Sequence, residues 1–338
     1  MTAEKVNPLK IGSLHLVNPL LLAPLSGISD LPFRLLAKEQ GCALVSAEMI
    51  SAEGIVRNRK SAQRPLKSCP EERPLAVQIM GSEPKVMAEA AKMIEGLGAD
   101  LLDINMGCPA KKVIRGGSGA ALLKDLRRAK EIIQAVRQGV SVPVTVKMRL
   151  GWDEKNLNFL ELGRIAEDCG INALTLHGRT RTQGYAVQAD WEVITRAKEN
   201  LHIPIIGNGD LTSAEAVVNF FSRTGCAGAM VGRGALGNPW IFREALKALE
   251  GQASPKPSLQ EKEEVILRHL HMMVELNGEK HGLPEFRKHL IWYTRGLPGS
   301  AEFRSRISQW NTVPAVTANI RIYFYGLQGP LLLSKQKT

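Results

Sequence analysis

The chain has 338 residues, 44% of them hydrophobic and 23% charged, and a formal net charge of +11. That length suits one large α/β domain with an appendage, or two ordinary domains, with a core that needs no covalent staples. The charge points to an anionic partner, nucleic acid above all. The five cysteines (Cys42, Cys69, Cys108, Cys169 and Cys226) are odd in number and scattered, with no CxxC pair. This argues against a disulfide framework and a structural zinc. The opening "MTAEKVNPLKIGSLHL" has no long apolar core after a basic start, and no later run approaches bilayer length. A cytoplasmic protein with no membrane or metal partner is expected.

In chain order, short β-branched apolar runs appear at "LLLAPLSG", "CALVSAE", "LAVQIMG", "LLDINMG", "VTVKMRL", "ALTLHGR", "IPIIGNGD" and "GAMVGRG". Most follow a stretch of helical periodicity, such as "EPKVMAEAAKMIEGLGAD" before the fourth. Eight strands alternating with helices predict an α/β fold of the (β/α)8 TIM-barrel type. A doubly wound open sheet would place GxGxxG after its first strand, and "LLLAPLSGISD" lacks it. Polar residues fall late in each run: Gln78, Asn105, Lys147, His177, Asn208 and Arg233. In a barrel those strand ends converge on the face that carries the site.

After about residue 250 the texture changes. "EGQASPKPSLQ" reads as a linker near 250–258, and helical stretches without strand runs follow. The expected organisation is a catalytic barrel over 1–250 and a helical domain over 251–338.

Each polar position admits a structural and a functional reading. Gln78 sits in an apolar strand and suits the edge of a planar ring, or pairs with backbone. Cys108 lies between Gly107 and Pro109, where the chain should turn out of the barrel, ahead of a basic loop made mobile by Gly116, Gly117 and Gly119. It reads as a buried filler, a metal ligand or a group that handles a proton, and composition leaves the choice open. Lys147 is expensive to bury unpaired, and with Arg149 on the same face it points into the barrel mouth or outward to solvent. His177 is a core histidine or a site residue. "IIGNGDLTSAEA", with Thr212 or Ser213 as a helix cap, and "MVGRGALGNPWIF" follow the last two strands. There the exposed N–H groups of glycines, a helix N-terminus and Arg233 favour phosphate, although glycines also simply make turns.

Together these motifs resemble the tRNA-dihydrouridine synthase family, and the bacterial B-type branch in particular. The resemblance spans about residues 8–310. It rests on ordered blocks: "LLLAPLSGISDLPFR", "VSAEM", "VQIMGSEP", "DINMGCPAKKV", "GSGAALL", "VKMRLGWD", "LTLHGRTR", "IIGNGDLTS" and "MVGRGALGNPWIFRE". It implies an FMN-binding barrel with a helical RNA-binding domain, which uses NADPH to reduce the flavin and then reduces the C5–C6 double bond of particular uridines in tRNA. Hydride would pass from FMN N5 to uracil C6, with Cys108 as the acid that protonates C5. By the same resemblance Pro24, Leu25 and Ser26 lie against the flavin. Gln78 and Lys147 contact its ring, and His177 its ring or ribityl chain. Asn208, Gly209, Asp210, Gly232 and Arg233 form the phosphate side. Asn105 would hold the uracil edge, and Arg179 is a further substrate contact.

Two departures stand out. The family's usual Ala-Pro-Met-Ala-Gly is here Ala23-Pro24-Leu25-Ser26-Gly27, and the tail after about Gln309 aligns with nothing. For RNA binding, residues 280–306 hold six basic residues against two acidic, with Phe286, His289, Trp292 and Tyr293 interleaved. Arg287 and Lys288 are the chosen phosphate contacts, and Phe286, Leu290 and Tyr293 read as a core stripe. A monomer is expected. The competing functions are a flavin reductase of a free pyrimidine, a non-enzymatic tRNA-binding protein, and a metabolic isomerase with a bare phosphate site.

Overall fold

The computed structural model describes residues 7–58 and 66–335. Two compact units make up the chain. The first runs to Gly234 and includes Ile241–Ala253, and the second joins Ala235–Trp240 to the chain from Ser254 onward.

The first unit opens with a hairpin of β1 (Leu9–Ile11) and β2 (Leu14–Leu16), paired antiparallel. Then come β3 (Leu20–Leu22), α1 (Leu31–Glu39), β4 (Val45–Ser46), β5 (Ile50–Ser51), α2 (Ala52–Arg57), β6 (Leu75–Met80) and α3 (Pro84–Gly96). They are followed by β7 (Leu101–Met106), α4 (Lys111–Arg115), α5 (Leu126–Gly139), β8 (Val144–Arg149), α6 (Phe159–Asp168) and β9 (Ala173–His177). The unit ends with α7 (Trp191–Asn200), β10 (Ile205–Asn208), α8 (Ala214–Thr224), β11 (Gly228–Val231) and α9 (Ile241–Leu249).

Among the described residues the main sheet runs in the order β3-β11-β10-β9-β8-β7-β6-β4, with parallel pairing throughout and β5 added beside β6. A parallel bridge between Leu21 and Leu44 links the two ends, with Leu22 N–H donating to the Leu44 carbonyl at 2.9 Å. The eight predicted runs therefore form an α/β barrel of the TIM type, each strand in its expected place. Strands this short and apolar are stable because both faces are covered. Val146 and Met148, pointing away from the lumen, are fully buried. The alternating positions Thr145, Lys147 and Arg149 face inward instead.

In one place the structure differs from the sequence reading. The basic segment after Cys108, read as a mobile glycine loop, forms α4 and then a 3-10 turn over Gly119–Lys124. The run from Lys111 to Arg115 has no glycine, so it takes a helical turn, and Gly116 caps it.

The second unit contains α10 (Leu259–Asn277), α11 (Glu279–Tyr293), α12 (Ser300–Arg306) and α13 (Val313–Lys335). Ile266, Leu270 and Met273 of α10 meet Phe286, Leu290 and Tyr293 of α11, so the predicted stripe is core. The tail after Gln309 has a structural role. Val316, Ile320 and Phe324 of α13 are fully buried in the same cluster. Trp240 joins this core as well, and its indole N–H donates to Glu261 at 2.8 Å.

Candidate active site

At the C-terminal ends of the barrel strands lies a cavity of about 240 Å³. Its apolar wall is Ala23, Pro24, Leu25 and Met49, and its polar floor is Gln78, Asn105, Lys147 and His177. The far end is formed by Asn208–Thr212 and Gly232–Gly234, and the lip carries Gly107, Cys108, Pro109, Arg149 and Tyr185.

The apolar wall is held from behind. Leu25 N–H donates to Ser29 Oγ at 2.7 Å, Gly27 N–H donates to Glu48, and the Ser29 carbonyl accepts from Arg34 at 2.7 Å. Arg34 is in turn paired with Glu72 through two contacts, 2.6 and 3.0 Å, with both side chains buried. On the opposite lip one peptide unit is clamped from both sides. Cys108 N–H donates to Asn105 Oδ1 at 3.0 Å, and the Gly107 carbonyl accepts from Arg149 Nε at 2.9 Å. The strand ends at Met106, and Pro109 turns the chain outward, as expected of Cys108's neighbourhood.

At the far end Gly209 takes φ +126°. A side chain there would press on Ala189 at 2.7 Å and on the His177 ring at 3.1 Å, so the close approach requires glycine. Among the described residues Asp210 is the only non-glycine with positive φ, at 56°. Its carboxylate holds the strained turn together, accepting from Arg179 at 2.7 Å, from Ala189 N–H at 2.7 Å and from Arg233 at 3.1 Å. Burial alone would raise the Asp210 carboxyl, but these hydrogen bonds and the two guanidinium charges leave it lowered. Arg233 also lies over the Tyr185 ring, 3.9 Å from its centre. Ser213 caps α8 by accepting from Ala216 N–H at 3.1 Å.

Two floor residues have displaced titrations. Burial pushes Lys147 down to about 8, opposed by Asp103 and aided by Arg149, and its Nζ donates to Asn208 Oδ1 at 3.2 Å. Burial also pushes His177 down to about 2, with Lys147 and Arg149 adding to the effect, so its ring is neutral at working pH. For Lys147 the folded value lies below the unfolded one, so the unfolded chain holds the extra proton between about pH 8 and 10.5, and stability rises with pH across that window. Lys147→Met should therefore be most stabilising near pH 7. Its advantage should shrink by on the order of 1–2 kcal/mol by pH 9.5, as read by denaturant titration of both proteins at the two pH values.

Thirteen of the residues singled out in the sequence line this one cavity: Pro24, Leu25, Ser26, Gln78, Asn105, Cys108, Lys147, His177, Asn208, Gly209, Asp210, Gly232 and Arg233. Arg179 does not. It is buried beneath the far end, bonded to Asp210 and to the Val187 carbonyl. Arg287 and Lys288 belong to the second unit. Arg287 donates to the Trp310 carbonyl at 2.8 Å and to Asn311 at 2.9 Å, while Lys288 is exposed. Met49, Arg149 and Tyr185 line the cavity without having been chosen as site residues. Arg149 was legible as the residue two beyond Lys147 on the same face, whereas Met49 and Tyr185 carry no periodic signal. Of the other thiols, burial pushes Cys42 up to about 12 and Cys226 to about 11, which leaves them inert.

The family model described as Dihydrouridine synthase (Dus) matches residues 21–325. A "Probable tRNA-dihydrouridine synthase" of Rickettsia bellii is 44% identical over 319 residues, covering 94% of this chain and 98% of the relative. A "tRNA-dihydrouridine synthase B" of Pseudomonas putida is 42% identical over 321 residues, covering 94% of this chain and 95% of the relative. Solved structures similar in fold include a 6-hydroxypseudooxynicotine amine oxidase of Pseudomonas geniculata, with a TM-score of 0.58 and 14% identity over 72% of this chain and 49% of that one. A 2-naphthoyl-CoA reductase gives a TM-score of 0.57 with 13% identity over 75% of this chain and 53% of the other. The chain thus spans about half of those larger proteins, and at such identities the likeness speaks for the barrel alone. The family match, by contrast, runs through every strand that builds the cavity, and with relatives above 40% identity along nearly the whole length this chain belongs to the dihydrouridine synthase family, in its bacterial B-type branch.

Proposed function

We propose that the protein is an NADPH-dependent, FMN-containing tRNA-dihydrouridine synthase that reduces the C5–C6 double bond of particular uridines, with Cys108 as the proton donor to C5. The observation that carries this reading is the position of Cys108, half-buried on the lip of a cavity whose floor is made of N–H donors. The names of the relatives supply the substrate class.

The residues present fit a flavin mononucleotide. A planar ring with acceptor edges suits the floor, where the amides of Gln78 and Asn105 and the Lys147 ammonium are all donors. The apolar wall from Ala23 to Leu25 offers a surface for a ring face. The far end, with glycine turns at Gly209 and Gly232 and the Arg233 guanidinium, suits a phosphate. Asp210 holds Arg233 in place with one contact, and the guanidinium retains further N–H groups for an anion. When bound, the flavin supplies hydride, taken from NADPH, and that is the chemistry no side chain can provide. The chain's own task is to hold the uracil beside the flavin, keep Cys108 within reach of C5 and exclude water. Removing a uridine from a folded tRNA requires unstacking it first, which asks for a firm grip on the rest of the RNA.

The helical domain over 251–338 is assigned that grip, in a monomeric protein that works in the cytoplasm. Its exposed basic residues include Lys280, Lys288, Arg295 and Arg306. Because Arg287 also braces the Trp310–Asn311 segment, its replacement confounds binding with folding, and the exposed Lys288 is the probe used. Lys288→Glu should weaken tRNA binding and lower the slope of log affinity against log salt by about 0.9, with flavin reduction by NADPH unchanged. Filter binding across a salt series measures it, and an unaltered slope would move the RNA surface elsewhere.

The reading itself is tested by incubating unmodified tRNA with the protein, FMN and NADPH and quantifying dihydrouridine by mass spectrometry. NADPH-dependent product is the expected result. Bound flavin with product only from a free pyrimidine would overturn it.

A further inference from the structure

Beneath the cavity, side chains from three adjacent strands form one continuous hydrogen-bonded chain. Thr145 Oγ1 of β8 donates to Asp103 Oδ1 of β7 at 2.6 Å, and Gln78 Nε2 of β6 donates to Asp103 Oδ2 at 2.6 Å. Asn105 Nδ2 then donates to Gln78 Oε1 at 2.7 Å, and Asn105 Oδ1 accepts from the N–H groups of Gly107 and Cys108 at 3.2 and 3.0 Å. The register makes this possible, since Asp103 is the direct partner of Gln78 on one side and of Thr145 on the other. All four side chains are at least 90% buried.

The direction of this chain is set by chemistry at both ends. Backbone N–H groups only donate, and Asp103, whose carboxyl is pushed up by burial, accepts from Thr145 and Gln78 through its two oxygens. Both amides between them must therefore turn their nitrogens toward Asp103 and their oxygens toward Cys108. Each amide nitrogen has two N–H groups and uses one in the chain, so each keeps one donor for the cavity that it lines. If Asn105 turned over, its nitrogen would face the Gly107 and Cys108 N–H groups, and if Gln78 turned over, its oxygen would face the Asp103 carboxyl and its nitrogen the Asn105 N–H.

We infer that Asp103 is a positioning residue: through Gln78 and Asn105 it fixes the cavity floor as a pair of donors and holds the Gly107–Cys108 peptide in the one orientation that keeps the thiol on the lip. Asp103 does not itself line the cavity. A network of this kind is worth more intact than the sum of its bonds, because each member left unsatisfied is buried. The proposal deepens the assignment of Cys108 as proton donor and rests on it for the consequence in turnover, while its geometric core is independent of any substrate.

The test therefore reads the thiol directly. In protein without flavin, the rate of iodoacetamide alkylation of Cys108 is measured by peptide mass spectrometry relative to Cys169, on the distant α6 terminus. The buried Cys42 and Cys226 report folding. Asp103→Leu removes the acceptor and should raise the Cys108-to-Cys169 ratio about fivefold, as the turn loosens. Asp103→Asn can keep the direction, its oxygen accepting from Gln78 and its nitrogen donating to Thr145, and should change the ratio less than about twofold. With tRNA, Asp103→Leu should lower kcat about tenfold or more, and Asp103→Asn should restore most of it.

An unchanged ratio in Asp103→Leu with Cys42 and Cys226 still protected would overturn the proposal, as would Asp103→Asn behaving like the leucine variant. If the leucine variant labels at Cys42 and Cys226, Gln78→Met cuts the same chain one link on and must give the same rise, and no rise would likewise overturn it. Failure of the functional reading is distinguishable, since it shows as no dihydrouridine from the wild-type protein whatever the alkylation ratio.

Discussion

Replacement of Cys108 by alanine should lower dihydrouridine formation by about 10²- to 10⁴-fold, the usual contribution of a positioned general acid, while flavin content and flavin reduction by NADPH stay as in the wild type. The expectation follows from the geometry of the lip. Cys108 lines the same cavity as Pro24 and Leu25, and its backbone is held by Asn105, by Arg149 and, through its own carbonyl, by Ala120 N–H at 3.1 Å. None of those bonds involves the sulfur, so truncation to alanine leaves the turn intact and removes only the proton source. Product would be counted by mass spectrometry on tRNA and flavin by its visible absorption. Turnover within about threefold of wild type would take Cys108 out of the mechanism.

Glu72→Ala should destabilise the fold by about 3–5 kcal/mol, because it leaves the Arg34 guanidinium buried without its counter-charge. Arg34 and Glu72 are 1% and 0% exposed, so the guanidinium left behind is cut off from bulk solvent. The consequence reaches the site. Arg34 also donates to the Ser29 carbonyl, and Ser29 holds Leu25, so the wall of the cavity should loosen and flavin affinity should fall along with stability. Denaturant unfolding and flavin titration would measure the two effects together. The double replacement Arg34→Met with Glu72→Leu should recover most of the stability, since a buried ion pair gains little over well-packed apolar groups. A single variant with wild-type stability would show that the pair is not the brace described.

The barrel was legible in the sequence because a parallel strand covered on both faces must be apolar along its length. "VTVKMRL" and "ALTLHGR" therefore announce themselves as strands, and their polar residues as exceptions that need a reason. Those exceptions, Gln78, Asn105, Lys147, His177 and Asn208, are the residues that meet in the cavity. Burial of a polar group is costly enough that its presence in such a run is itself a signal. The resemblance to the family added roles that spacing does not supply, among them those of Cys108 and of the Pro24–Ser26 wall.

What each charged group is bonded to was not legible. Arg179, Arg233 and Arg287 look alike in a sequence, yet Arg179 is buried on Asp210, Arg233 is shared between Asp210 and Tyr185, and Arg287 bridges to Trp310 and Asn311. The same holds for Asp103, which reads as one more polar residue in "LLDINM" until the register sets Gln78 on one side of it and Thr145 on the other. The segment Ala235–Trp240 follows the last barrel strand in sequence but shares its core with the helical unit. Local composition thus determined which residues become strands and which polar groups are anomalous, since that depends on burial and backbone period along the chain itself. Only the tertiary structure decided which of those groups pair and which face the cavity, because hydrogen-bond partners are chosen by closure of the barrel, between residues that lie tens of positions apart.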